Sequence, residues 1–189
     1  MIRLVIFTFT LPGTTIETTE NICRQLLLSL FETGGLVLSQ VCTITGLETH
    51  MVQNWVKRGF VSNPKDKKYN KDQFCRIVTI NLLKDALNLS HICRLLSYIN
   101  GKLDDESDDL ISDSELYIYF IDLLFAIDGK PSQIDNGVAA ILADYTETVK
   151  DEKARLEKVL KIMAQAYFSA ELKNQAIFDI NAIERGIIK

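Results

Sequence analysis

Thr49, His50, Gln53, Asn54, Lys57 and Arg58 recur at spacings that place them together on the outer side of one helix, while Val52, Trp55 and Val56 supply its inner side. Each of the six can do a particular chemistry on a nucleic acid. A carboxamide offers donor and acceptor together and can pair bidentately with adenine, so Gln53 and Asn54 are the candidates for reading base edges. Thr49 and His50, at the start of the helix, suit a base or a phosphate contact. Lys57 and Arg58 at its end, with Lys65, Lys67 and Lys68 just beyond, suit phosphates, where a cation displaces counterions and fixes position without reading sequence. Tyr69 has two uses open to it: a phosphate hydrogen bond through its hydroxyl, or a ring packed under the basic segment. The partner these residues describe is double-stranded DNA, and Trp55 is expected in the core.

Other chemistries find little in the chain. No Ser-His-Asp, Cys-His or phosphate-loop pattern occurs, and two histidines are a poor basis for acid–base work, so no catalytic residue is assigned and an enzyme is not expected. Cys23, Cys42, Cys75 and Cys93 contain no C-x-x-C pair and fall inside apolar helical patterns, which predicts reduced core thiols. His91-x-Cys93 does not match structural zinc spacing, so neither metal nor cofactor is expected.

The elements that must carry the reading helix follow from periodicity. Leu38, Val41 and Ile44 predict a helix, Gly46 a turn, and a second helix opens at Glu48 or Thr49 and runs to Arg58. From Gly59 to Asn70 the chain predicts a short irregular hairpin, with Pro64 blocking a helix. A helix over about 71–87 then presents Phe74, Ile77, Val78, Ile80, Leu82 and Leu83, and Asn88 separates it from another over 90–98. Before the pair, Leu4 to Leu11 predicts a short strand or extended arm, far below the roughly 20 residues of a membrane span. It also lacks a signal peptide's features, which predicts a cytoplasmic protein with no membrane partner. After the Pro12-Gly13 turn, Thr14 or Thr15 is expected to cap a helix to about Glu32, burying Ile22, Leu26, Leu27, Leu30 and Phe31, and ended by Gly34-Gly35.

Charge singles out the same region. The 189 residues carry a formal net of -4, but 36–100 holds nine Lys and Arg against four Asp and Glu, a net of +5, leaving -9 for the rest. Seven acids follow in Asp104, Asp105, Glu106, Asp108, Asp109, Asp113 and Glu115. A metal site, an internal mimic of DNA and a solvated linker are all conceivable there. The linker is favoured, since the calcium-loop spacing is missing.

Beyond it, 115–127, 132–149 and about 150–184 read as helices, broken at Gly129-Lys130-Pro131. In the last, Leu156, Val159, Leu160, Met163, Tyr167 and Ala170 form a stripe that Ile177 and Phe178 extend by two turns. Tyr117, Tyr119, Phe120, Phe125 and Tyr145 are candidates for a ligand pocket, though aromatics at helical spacing more often belong to a core.

TGLETHMVQNWVKRGFV, the wing ending KKYNKDQF and the second turn at ALNLSHICRLL together resemble the DNA-binding domain of MerR-type regulators. The shared plan is a Gly in the turn, an aromatic in the recognition helix, a Gly before the wing and a Tyr at its end. Gln53 and Asn54 stand where those proteins usually carry an Arg and an aromatic, and Asp66-Lys67-Lys68 replaces their Gly-Tyr-Arg approach. Their metal sensors place cysteines at the long dimer helix, whereas the last cysteine here is Cys93. More narrowly, QNWVKRG, KKYNKDQ and LLSYINGKLDDESDD look like an uncharacterised bacterial domain family with a MerR-like N-terminal part, over roughly residues 10–125.

The expectation is therefore an all-α protein with a MerR-like winged helix-turn-helix and small basic wing, then a C-terminal helical bundle with a long last helix. Its parts are 1–101 (DNA-binding core 36–100), an acidic linker 102–114, and a dimerisation or effector domain 115–189. The expected function is sequence-specific DNA binding in bacterial transcription regulation, as a homodimer through the C-terminal helices, with an unidentified effector conceivable. The alternative is a protein-interaction module that keeps the winged-helix shape without reading DNA.

Overall fold

The computed structural model describes residues 9–18, 20–32, 34–101, 103 and 110–185. Most of them are helical, as expected. Much of the acidic segment (102 and 104–109), the first eight residues and the Cys23 and Ile22 side chains lie outside the described part.

The chain begins with a departure from expectation. Thr14 and Thr15 do not cap a helix; Phe9–Thr10 (β1) pairs antiparallel with Glu17–Thr18 (β2), and the helix α1 begins only at Glu20 and runs to Ser29. Pro12-Gly13 closes this hairpin, with the Leu11 N–H donating to Ile16 O at 2.8 Å and the Thr14 hydroxyl to Leu11 O at 2.8 Å. Of the two threonines that could cap a helix, Thr14 is thus used by the turn itself, while the Thr15 hydroxyl donates to Thr43 O and Ile44 O. Gly13 has φ 77°, and a Cβ there would lie 2.6 Å from Val78 O, so only glycine lets the turn sit this close to the core.

Leu36–Val37 (β3) leads into α2 (Leu38–Thr45), and α3 follows at Thr49–Lys57. Gly46 turns between the helices at φ 68°, in the left-handed region. Lys68–Tyr69 (β4) returns to pair antiparallel with β3, Leu36 opposite Tyr69 and Val37 opposite Lys68. The basic segment is therefore tied to the strand that precedes α2, a pairing the sequence reading did not anticipate.

Helix α4 (Lys71–Leu83) is the centre of the molecule. Asn70 and Gln73 form a capping box at its start, and Phe74, Cys75, Ile77, Val78, Ile80, Leu82 and Leu83 are buried, so it is covered on nearly every side. It ends one turn earlier than expected. Asn88 caps α5 (Leu89–Asn100), and Ser112 caps α6 (Asp113–Ala126) with Glu115 completing the box. The end of the acidic segment thus has local duties: Glu115 holds a cap and Asp113 pairs with Arg76 of α4.

The helix expected over 132–149 is shorter. A 3-10 turn at Pro131–Gln133 leads into α7 (Ile134–Ile141), after which the chain bends until α8 (Glu152–Glu184). The bend is organised by Glu152, a buried carboxylate that accepts from the Tyr145 hydroxyl, the Thr148 N–H at 2.7 Å, the Thr148 hydroxyl at 3.0 Å and the Val149 N–H at 3.1 Å. One buried charge, satisfied four times over, replaces two turns of helix. In α8, Leu156, Val159, Leu160, Met163 and Ala170 are buried as the stripe predicts, but Ile177 and Phe178 are exposed. The periodicity continues past Ala170, whereas none of the described residues covers Ile177 or Phe178.

The aromatic side chains mostly build the core. Tyr117 is fully buried and donates to Pro12 O at 2.7 Å, Phe120 packs edge-on against Tyr167, and Tyr119 meets Tyr145 likewise. Only Phe125 of the five candidates lines the large open groove, between the Leu11–Thr14 turn, the ends of α4 and α6, and α8.

Candidate nucleic-acid interface

The outer face of α3 is built as its pattern requires. Val52 and Trp55 are buried, Trp55 to 3%, while Thr49, His50, Gln53, Asn54, Lys57 and Arg58 are all exposed. The helix is held against α2 at its base: the Thr49 hydroxyl meets the half-buried Cys42 sulfur at 3.8 Å. Asn81 of α4 steadies the end of α2, its amide donating to Thr45 O at 3.0 Å and Gly13 O at 2.9 Å. Thr15 of the first turn adds an N–H bond to Ile44 O at 2.7 Å.

Beside this helix stands the lysine-bearing segment. Lys68 N–H donates to Lys65 O at 2.8 Å, and the two residues between, Asp66 and Lys67, both have positive φ (51° and 60°). That pattern belongs to the type I′ turn, whose twist matches a tight antiparallel return. It sets Lys65, Lys67 and Lys68 at an exposed tip. Gln53, Lys57, Asn63 and Lys67 line one open groove between helix and tip, with Val37, Val56 and Tyr69 on its floor.

Tyr69 takes the packing alternative. It is 3% exposed, its strand is paired to β3, and burial, with a smaller effect from Cys42, pushes its phenol pKa up. Its expected phosphate contact therefore gives way to a role under the tip. Arg58 keeps its exposed place, but its guanidinium lies over the Phe60 ring at 4.6 Å from the centroid, so it is held by stacking.

Arg76, one of the nine cations of the basic region, is not at the surface. It is 6% exposed, donates from Nε to Phe60 O at 2.8 Å, and pairs with Asp113 at 3.1 Å. Burial pushes the Asp113 pKa up and the Arg76 charge opposes it, leaving the net above the ordinary value. Gln73 holds the next part of the loop, its amide donating to Ser62 O at 3.2 Å and Asn63 O at 2.9 Å. Neither role was readable in advance, because each depends on which loop folds over α4.

Residues 27–120 match the family described as "Domain of unknown function (DUF1836)". The chain is also similar to "Uncharacterized protein YkrK" of Bacillus subtilis (strain 168), 29% identical over 120 residues, which is 60% of this chain and 51% of that protein. The chain thus spans about half the length of that relative. No solved structure matches. The matched region runs from α1 to the middle of α6, so it takes in α3, the lysine tip and the Arg76–Asp113 pair.

Proposed function

We propose that this protein is a sequence-specific DNA-binding regulator of the winged helix-turn-helix type, MerR-like in plan. The observation that carries the reading is the outer face of α3: six exposed polar or cationic side chains over a buried Val52–Trp55 face, beside a three-lysine tip. In this reading α3 enters a major groove. Gln53 and Asn54 meet base edges with Thr49 and His50 at the helix start, while Lys57, Arg58, Lys65, Lys67 and Lys68 meet phosphates.

A homodimer through α8 accompanies it. After Ala170 the helix buries almost nothing, and Leu172, Ile180 and Ile183 stand 68%, 56% and 62% exposed within one arc of its surface. Two such helices crossing antiparallel at Ala176 would set Leu172 of each against Ile180 of the other and Lys173 against Asp179. The apolar and charged positions are thus self-complementary, as a two-fold interface requires.

Selection of bound sequences from a random duplex pool tests the reading, since an enriched palindrome establishes binding, specificity and two-fold symmetry together. Gln53→Ala and Asn54→Ala should then change which sequences are enriched. Retention of duplex at low salt only, with no enriched sequence, would leave the protein-interaction reading in its place.

A further inference from the structure

Phe60, three residues beyond the end of α3, is gripped from three directions. Its N–H donates to Trp55 O at 2.8 Å, its ring lies under the Arg58 guanidinium, and its carbonyl accepts from Arg76 Nε at 2.8 Å. Trp55 is the buried anchor of α3, and Arg58 is the exposed cation at its C-terminal cap. Phe60 therefore joins the inner and outer faces of the helix at one point.

Arg76 is itself fixed from the far side. Its Nη1 bonds both Asp113 oxygens, at 3.1 and 3.3 Å, and the Asn100 amide reaches Asp113 Oδ1 at 3.4 Å. Asp72, one turn before Arg76, accepts the Ser114 N–H at 3.0 Å, so two carboxylates join α4 to the first turn of α6. A buried arginine beside a carboxylate is only weak ground for stability, because desolvation consumes much of the attraction. What the fork geometry supplies is a bridge: one guanidinium bonds a loop carbonyl through Nε and a carboxylate through Nη1 in fixed relative directions, which an ammonium cannot do.

We propose that Arg76, held by Asp113, is a positioning residue for DNA recognition: it fixes the Phe60 carbonyl and so ties the exit of α3 and the stacked Arg58 to the start of α6. This rests on the DNA-binding reading above. Arg76 touches no DNA, and the C-terminal helices enter the geometry of the reading face through this pair.

The test uses the full chain with Arg76→Lys, which keeps the charge beside Asp113 but cannot bridge, and with the double variant Arg76→Met/Asp113→Leu, which removes both charges together. In either folded variant, hydrogen exchange at the Arg58, Gly59 and Phe60 amides should rise about tenfold, without a matching rise across α4. Affinity for the selected sequence should fall about tenfold, affinity for random duplex should hold, and the salt slope of binding should stay that of the unaltered protein. Unchanged exchange and unchanged affinity in both variants would overturn the proposal. A salt slope lowered by about one in the double variant would also overturn it, since that marks a direct phosphate contact. If the unaltered protein binds no duplex, the DNA reading fails by itself, and positioning of the recognition face falls with it. The exchange arm would still show whether Arg76 holds the helix exit.

Discussion

Lys67 occupies a conformation that a lysine tolerates poorly. Its φ of 60° and the 51° of Asp66 place two successive residues in the left-handed region, and of the two only aspartate adopts it readily. The strain at Lys67, about 1 kcal/mol, persists in the residue that carries charge to the tip of the segment. Lys67→Gly should therefore act in opposite directions on the two properties. Thermal unfolding should move up by about 2 °C, while duplex binding weakens and its salt slope drops by about one. A variant that loses stability, or binds DNA as well as before, would remove the functional account of the strain. The buried carboxylates make a second contrast. At Glu152 burial raises the pKa, but the bonds from Tyr145, Thr148 and Val149 outweigh it and leave the net below the ordinary glutamate value. The unfolded chain then takes up the proton first as pH falls. The stabilisation from Glu152 is present above the ordinary glutamate range and lost as pH drops through the lower folded value. Asp113 has the opposite sign, its raised value making the folded state the better proton binder as pH falls into the carboxylate range. Glu152→Gln should flatten the acid-side loss of stability, and Asp113→Asn should not. Unfolding midpoints between pH 3 and 7, roughly the span of carboxylate titration, distinguish the two.

At the scale of elements, the order α2, turn, α3 was legible because each part leaves a local mark: a 3.6-residue period, a glycine, and a helix with distinct faces. Gly46→Ala should consequently lower stability by about 1 to 2 kcal/mol through the left-handed φ alone, and its added Cβ would sit 3.2 Å from Thr15 Cγ2. Chemical unfolding with an unaltered denaturant slope would confirm a folded-state effect. Elements set by distant partners left no such mark. The pairing of Leu36–Val37 with Lys68–Tyr69 spans two residues on each side, too short for alternation to show, and β1 with β2 likewise. For the candidate site the same division holds. The exposed positions of α3 were readable from spacing, whereas the burial of Arg76 and Tyr69 depends on the loop and strand that close over them. Composition counts a cation without saying which way it faces. The shortened α7 has a different origin: Glu152 gathers Tyr145, Thr148 and Val149 from within seven residues, a local loop that helical periodicity does not distinguish from a continuing helix.

At the scale of the molecule, the hydrophobic core runs without interruption from Leu11 to Ala166, with α4 inside it and packed against both α6 and α8. The outer face of α3 and the C-terminal helices therefore share one interior, and the last turns of α8 run on beyond it as a rod whose side chains are mostly exposed. From Glu171 to Glu184 that rod is about 20 Å long at helical rise. It carries Leu172, Phe178, Ile180 and Ile183 into solvent, although an isolated helix of this length gains little stability from its own hydrogen bonds. A second copy would cover the Leu172–Ile180–Ile183 arc, and covering it has a consequence for binding. If two recognition faces must reach two half-sites, loss of the dimer turns a bivalent contact into a monovalent one, and avidity falls by about a hundredfold or more. Ile180→Glu should thus produce a monomer by sedimentation while leaving the core untouched, because Ile180 is 56% exposed. Its unfolding midpoint should become independent of protein concentration, and affinity for a palindromic duplex should fall to that for a single half-site. The half-site affinity itself should not change, since α3 and the lysine tip lie in the part of the chain that this substitution does not reach. A variant that stays dimeric would place the interface elsewhere on the molecule. One that becomes monomeric yet keeps full palindrome affinity would show that the two recognition faces do not act together.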